Sequence, residues 1–274
     1  MSTPSAWQSN LSALAKADTS KLPAIFLAHG SPLLLYPENQ PLRFGSLTSI
    51  GGPKGPHQQF LREFGPFLLK TYQPKAIVVF SAHWETDKEI EVMDYENNHL
   101  LYDYYGFPDE MYKITFESKG SHTVAQRVVE LLQKSNIPAK TITKGRGLDH
   151  GVFIPFKLMF PSPSPIPIIE VSISSTLLPS HHIAIGKALA PLRSEQILII
   201  SGGLSIHTFK EVDAWDPQKS PEGFKDFERQ IVKSVDESDG GERNRKLEEV
   251  VKHPYFRRAH PREEHFVPIY VAAG

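Results

Sequence analysis

Residues 76–84 read AIVVFSAHW, seven residues that are apolar or small followed by a histidine and a tryptophan. A strand with one wet face alternates apolar and polar side chains. A run without alternation suits a strand buried on both faces, as in a parallel sheet covered by helices. Three further segments share this character: Ala24–Ala28 (AIFLA), Ile166–Ser172 and Gln196–Ser201. Weaker strand patterns lie at Glu89–Met93, Lys113–Phe116 and Ala139–Thr143.

Helical periodicity separates these strands. His57–Tyr72 sets Phe60, Phe64, Phe67 and Leu68 on one side, and His122–Ser135 does the same with Val124, Val128, Leu131 and Leu132 before stopping at Asn136-Ile137-Pro138. Ser180 is an expected N-cap for a helix over His181–Leu192. Charged amphipathic helices are expected at Glu222–Glu237 and Glu242–Lys252, split by Asp239-Gly240-Gly241. Strands alternating with helices imply an α/β fold, with a central mostly parallel or mixed sheet flanked by helices on both faces. The Pro-rich stretch 161–167 is too short to separate domains, so one domain is expected.

Composition narrows the chemistry. The chain has 274 residues, 40% of them hydrophobic, which supplies a sizeable core. A net charge of −1 gives no global field for nucleic acid or anionic membrane. With no cysteine, thiolate metal sites, disulfides and a cysteine nucleophile all drop out, so a metal would be held by imidazole and carboxylate. The first residues lack the basic flank and apolar block of a signal peptide, and no run approaches the roughly 20 apolar residues of a membrane span. A cytoplasmic protein, with a nuclear location also open, is the expectation.

Histidines mark the candidate site. His29 and His83 directly follow apolar runs, and His207 follows another after Gly202-Gly203. In open α/β sheets ligands gather beyond the carboxyl ends of the strands. A single histidine there is ordinarily a satisfied polar residue, whereas three at equivalent strand ends suggest an open metal site. His265, in HPREEHFVP (260–268), precedes an apolar stretch that would pack inward. Pro261 suits the first turn of a helix, which would put His260 on the cap side and point it away from His265. Glu263 and Glu264 read as first-turn negative charge or as carboxylates supporting a ligand. His150, between Asp149 and Gly151, is either part of a turn or a substrate contact, and the pattern leaves both open. His57, His99, His122, His181, His182 and His253 are expected at helix starts or on the surface. No GxGxxG, Walker A, GxSxG or HExxH motif is present.

Taken together and in order, AIFLAHGSP (24–32), AIVVFSAHWET (76–86), GLDHGVFIPFKLMFP (147–161), IIEVSIS (168–174), IISGGLSIHTF (199–209) and HPREEHFVP resemble the class III extradiol ring-cleavage dioxygenases, the LigB-like superfamily. The similarity is to the DODA-like branch, also called 4,5-DOPA dioxygenase. It implies a catalytic domain over 23–274 preceded by an extension, 1–22. It also implies a mononuclear non-haem Fe(II) site in which zinc is often found instead. By motif, the ligands would be His29, His83 and His265. His207 would be the acid/base beside the metal or a fourth ligand, and His150 a contact to substrate or oxygen. Ser31, Trp84 and Phe153 would line the pocket. The partners implied are a small-molecule catechol and O2, and the product a ring-opened semialdehyde. The wider superfamily resembles a two-histidine, one-carboxylate triad, whereas the third ligand here reads as histidine. A neutral third ligand leaves the site one unit more positive, which favours a catecholate dianion and also admits zinc as the occupant. The rival readings are a zinc-dependent hydrolase or deaminase and a non-catalytic metal-binding protein.

Overall fold

The computed structural model describes residues 5–17, 20–41 and 46–274. In chain order its regular elements are α1 (Ala6–Ala17), β1 (Ala24–Ala28), α2 (Ser46–Gly51), α3 (Pro56–Tyr72), β2 (Ala76–Thr86), β3 (Ile90–Met93), α4 (His122–Lys134), β4 (Ala139–Ile142), α5 (His150–Met159) and β5 (Ile168–Ser174). They continue with α6 (Pro179–Leu189), α7 (Pro191–Ser194), β6 (Ile197–Gly203), α8 (Glu222–Val235), α9 (Gly240–Glu249), α10 (Phe256–Ala259) and α11 (Pro268–Ala273). The strands form one sheet in the order β1-β6-β2-β5-β3-β4. β1, β6, β2 and β5 are mutually parallel. β3 pairs antiparallel to β5, with Val92 opposite Val171, and β4 runs parallel to β3. The sheet is therefore mixed, with a parallel centre.

The unbroken apolar runs divide by the two-residue period of a strand. In β2, Ala76, Val78 and Phe80 join a core shared with α4, α6, α8, α9 and α11, while Ile77 and Val79 face the opposite core with α3 and α5. In β6, Ile197 and Ile199 take the first side, Leu198 and Ile200 the second. Fully burying each such side chain contributes about 1.5–3 kcal/mol, so the central strands anchor both layers. α1 docks outside α3. Trp7 meets Phe60, Phe64 and Phe67 edge-on at 5.2–5.5 Å, and the Tyr72 hydroxyl donates to the Leu11 carbonyl at 2.8 Å.

Three sequence expectations fail. Lys113–Phe116 is no strand: residues 109–113 form a 3-10 turn, and the following extended backbone makes no ladder. Side chains satisfy it instead, with Tyr102 Oη donating to Ile114 O, Lys157 Nζ to Thr115 O and Ser162 Oγ accepting from Glu117 N. The helix expected over His181–Leu192 begins earlier and breaks. Pro179 occupies its first turn behind the cap residue Leu178. Pro191, which has no N–H, separates α6 from α7. No helix starts at Pro261. His260 ends α10, residues 261–267 form turns, and the next helix begins at Pro268. Among the described residues no helix is long and apolar enough to cross a membrane.

Candidate metal centre

His29, His83 and His265 meet at the carboxyl ends of the parallel strands. His29 follows β1 and donates its backbone N–H to Gly203 O, so the end of β6 fixes it. Gly30 then turns the chain away at φ +75°, a conformation that favours glycine. His83 lies inside β2, which runs on to Thr86, and does not end the strand. The β2–β5 register shifts between Phe80 and Glu85, and such an irregularity re-aims a side chain. His265 sits on the turn before α11, and its carbonyl accepts the N–H of Leu204. Gly203 permits that approach, since a Cβ there would lie 2.5 Å from the His265 oxygen.

The three rings are 4.9–5.2 Å apart by centroid. One nitrogen from each falls within 4.8 Å of the others. Nε2 of His83 and Nε2 of His265 are separated by 2.9 Å. His29 is 2% exposed, and neither of its ring nitrogens has a hydrogen-bond partner. Burial, reinforced by the neighbouring imidazoles, holds His29 well below the usual histidine range. Burial likewise takes His265 down to about 3. Both are therefore neutral imidazoles with a lone pair, the form that binds metal. At His83, burial is outweighed by the hydrogen bond and charge of Asp149, and its pKa rises. The negative environment that favours a proton on that ring equally favours a cation at its Nε2. Carboxylates back two of the three rings, with Asp149 Oδ1 3.2 Å from His83 Nδ1 and Glu264 Oε1 2.9 Å from His265 Nδ1. Three converging imidazole nitrogens, two of them on rings backed by carboxylates and the third on a ring with no other partner, fit a divalent ion.

A histidine–carboxylate pair stands on either side. His207 stacks on His265 at 3.5 Å and 20°, with its Nδ1 3.5 Å from Glu264 Oε1. His150, the first residue of α5, stacks on His83 at 4.1 Å and 27° and bonds Asp103 Oδ1 through Nδ1 at 2.8 Å. Burial raises the Asp103 carboxyl, but the bonds from His150 leave it lowered overall. All five histidines border a cavity of about 760 Å³ whose wall also includes Ser31, His57, Tyr104 and Phe209. Ser31 Oγ caps the following 3-10 turn by accepting from Leu33 N.

Trp84 and Phe153 border no part of that cavity. Trp84 is buried behind His83 with the Arg146 guanidinium over its ring at 5.0 Å. Phe153 is buried against Tyr102 and Tyr104. Strand alternation turns Trp84 from the face that His83 presents, and α5 carries Phe153 into the core. Two histidines expected at helix starts or on the surface do lie in first turns, of α3 and α6, but turn inward. His57 bonds the Ala28 carbonyl at 2.8 Å beside Gly30 and lines the cavity. His182 is fully buried and accepts the Ser174 N–H. His260 is buried with Nε2 on the Ser205 carbonyl, apart from the three converging rings. Sequence reasoning missed Asp103, Tyr104, Arg146 and Glu170. Glu170 left one signal, a carboxylate inside an otherwise apolar strand that requires a buried partner.

A doubly covered α/β sheet with a histidine cluster at its carboxyl edge defines the class: an α/β protein built around a candidate metal centre. Residues 23–274 match the family model of the catalytic LigB subunit of aromatic ring-opening dioxygenase. A fission yeast (Schizosaccharomyces pombe) protein named 4,5-DOPA dioxygenase extradiol-like protein is 49% identical, across 92% of this chain and 84% of its own. The 4,5-DOPA dioxygenase extradiol of Beta vulgaris is 33% identical, across 91% and 85%. The crystal structure of an uncharacterized protein from Escherichia coli K12 superimposes with a TM-score of 0.64 at 27% identity, covering 79% of this chain and 80% of that one. The chain belongs to the LigB family, whose enzymes are metal-dependent dioxygenases.

Proposed function

We propose that this protein is an extradiol dioxygenase that opens the ring of a catechol at one metal ion held by His29, His83 and His265. The reading rests on one observation above all: three imidazoles bring one nitrogen each within 4.8 Å of one another at the wall of a cavity, and the ring nitrogens of His29 have no other partner. The catalytic unit spans 23–274, and 1–22 is an extension whose helix docks on α3. His29, His83 and His265 would hold a ferrous ion here, which would supply Lewis acidity that lowers the pKa of the catechol hydroxyls and redox chemistry toward dioxygen. The residues do the rest. His207 lies face to face with His265, beside the three converging rings and not among them, which suits a proton handler better than a fourth ligand. With Nδ1 turned to Glu264, its Nε2 is the nitrogen left to take a catechol proton and return it. His150 is tied by Nδ1 to Asp103, so its Nε2 is left to hydrogen-bond substrate or oxygen from the opposite side. The apolar wall excludes water from the ring. Catechol plus O2 gives a hydroxymuconic semialdehyde, with both oxygen atoms retained in the product.

The names of the relatives favour an L-DOPA-like catechol as substrate. The test is oxygen uptake by anaerobically purified, Fe(II)-loaded protein across a catechol panel including L-DOPA. Stoichiometric uptake with a yellow product is expected; no uptake with any catechol overturns the reading. Three imidazole ligands also suit zinc. Hydrolysis or deamination by zinc-loaded protein without oxygen uptake would place the chain among zinc hydrolases.

A further inference from the structure

Glu170 stands in the middle of β5, fully buried, in a strand whose other members are apolar or serine. A lone carboxylate there would be costly, and the protein answers it with Arg146. Arg146 Nη2 reaches Glu170 Oε1 at 3.0 Å and also bonds Asp149 Oδ2, and its guanidinium carbon lies 5.0 Å from the centre of the Trp84 ring. Glu170 Oε2 accepts the Asp149 backbone N–H at 3.3 Å. Asp149 Oδ1 then accepts from Gly151 N at 2.8 Å, capping α5, and faces His83 Nδ1. One chain of contacts thus runs from β5, through the loop before α5, to the ring of His83.

We propose that Arg146 is a positioning residue of the metal centre: clamped by Glu170 and Trp84, it fixes Asp149, and through Asp149 it sets the ring of His83 with Nε2 toward the metal. The inference rests on His83 being a ligand. An ionised Asp149 can only accept, so it calls for N–H at His83 Nδ1 and leaves the lone pair on Nε2. The Arg146 cation thus lies directly against the carboxylate that touches His83. Because Asp149 also caps α5, the same clamp places His150, the next residue. A buried ion cluster is weak evidence for stability, since apolar residues of similar volume often serve as well. What it supplies here is orientation.

The test uses the full chain, with Zn(II) alone as the probe, and measures affinity by competition with a chromophoric chelator. Arg146→Met is expected to weaken Zn(II) binding about 10–100-fold. Arg146→Lys keeps the charge but exchanges the planar guanidinium, whose Nη2 touches both carboxylates while the group packs on Trp84, for a compact ammonium on a shorter stem, and is expected to recover only part of that loss. It also carries the test should Arg146→Met not fold. In both variants, ring ¹⁵N spectra of the metal-free protein should show His83 losing its fixed tautomer. Zn(II) affinity and His83 ring shifts unchanged in Arg146→Lys, whatever happens to melting temperature, would mean that Arg146 merely braces the loop and would overturn the proposal. Metal fully retained in His83→Ala would instead sink the ligand assignment beneath it.

Discussion

At the scale of single residues, His29 offers the sharpest test. With both ring nitrogens buried and unpartnered, its imidazole has no structural bond to lose. His29→Ala should therefore abolish tight Zn(II) or Fe(II) binding while leaving the melting temperature of the metal-free protein nearly unchanged; isothermal titration and calorimetry together check this. His207→Gln should behave in the opposite sense, keeping metal and losing about 10²–10⁴-fold in kcat, the usual contribution of an acid/base group. Metal loss equal to that in His29→Ala would make His207 a fourth ligand. His182, which is not among the cavity-lining residues, carries a different prediction. It donates from Nδ1 to Leu178 O and accepts Ser174 N–H at Nε2, so a second ring proton would set two donors against each other. Burial lowers its pKa to about 4. Between that value and 6.5 the unfolded chain binds the proton and the folded chain does not, so stability falls as pH drops through this window. Relative to His182→Gln, the native protein should lose about 3 kcal/mol between pH 7 and 4, read from urea unfolding. Parallel curves would refute it. His29 and His83 were legible because they follow apolar runs. His182 was not, since polar neighbours such as Ser180 and His181 hid that it faces the core.

At the scale of elements, long apolar runs were read well and their ends poorly. β2 seemed to stop at Ala82 because the apolar pattern stops there; pairing with β5 carries it through the irregularity to Thr86. That difference matters, because the irregular register and not a strand end presents His83. Lys113–Phe116 shows the reverse error, a strand pattern whose carbonyls are claimed by Tyr and Lys side chains before any ladder forms. The Phe60/Phe64/Phe67 face of α3 was legible as apolar, but not that Trp7 of α1 would cover it. Three edge-on ring contacts of about 0.5–1.5 kcal/mol each, less partial redundancy, give the strength of that docking. Trp7→Ala should therefore cost about 1–3 kcal/mol in chemical denaturation. Metal affinity should not change, because α1 lies outside the layer that carries the histidines. A parallel loss of metal would tie the N-terminal extension to the site itself.

For the whole molecule, the strand order β1-β6-β2-β5-β3-β4 was beyond the sequence, because periodicity states which faces are buried and not which strands are neighbours. The cavity was equally hidden, being assembled from segments far apart in the chain. The histidine cluster lines part of it, and Leu47 and Ile50 of α2, Trp215 and Phe224 supply apolar wall. A volume of about 760 Å³ falls well inside the range of pockets that enclose drug-sized ligands. A bare catechol would leave much of that space to water, whereas a ring with a substituent would displace water from the apolar wall and gain roughly 25 cal/mol per Å² buried. Substituted catechols should therefore show a higher kcat/KM than catechol itself. Ile50→Trp should erase that advantage by filling cavity space. Because position 50 belongs neither to the proposed metal ligands nor to the His150 and His207 pairs, the variant should raise KM for the larger substrates and leave Zn(II) affinity and the kcat for catechol intact. Steady-state kinetics on a series of increasing substituent size decides it: an unchanged size preference in Ile50→Trp would show that the substituent leaves the site by another route.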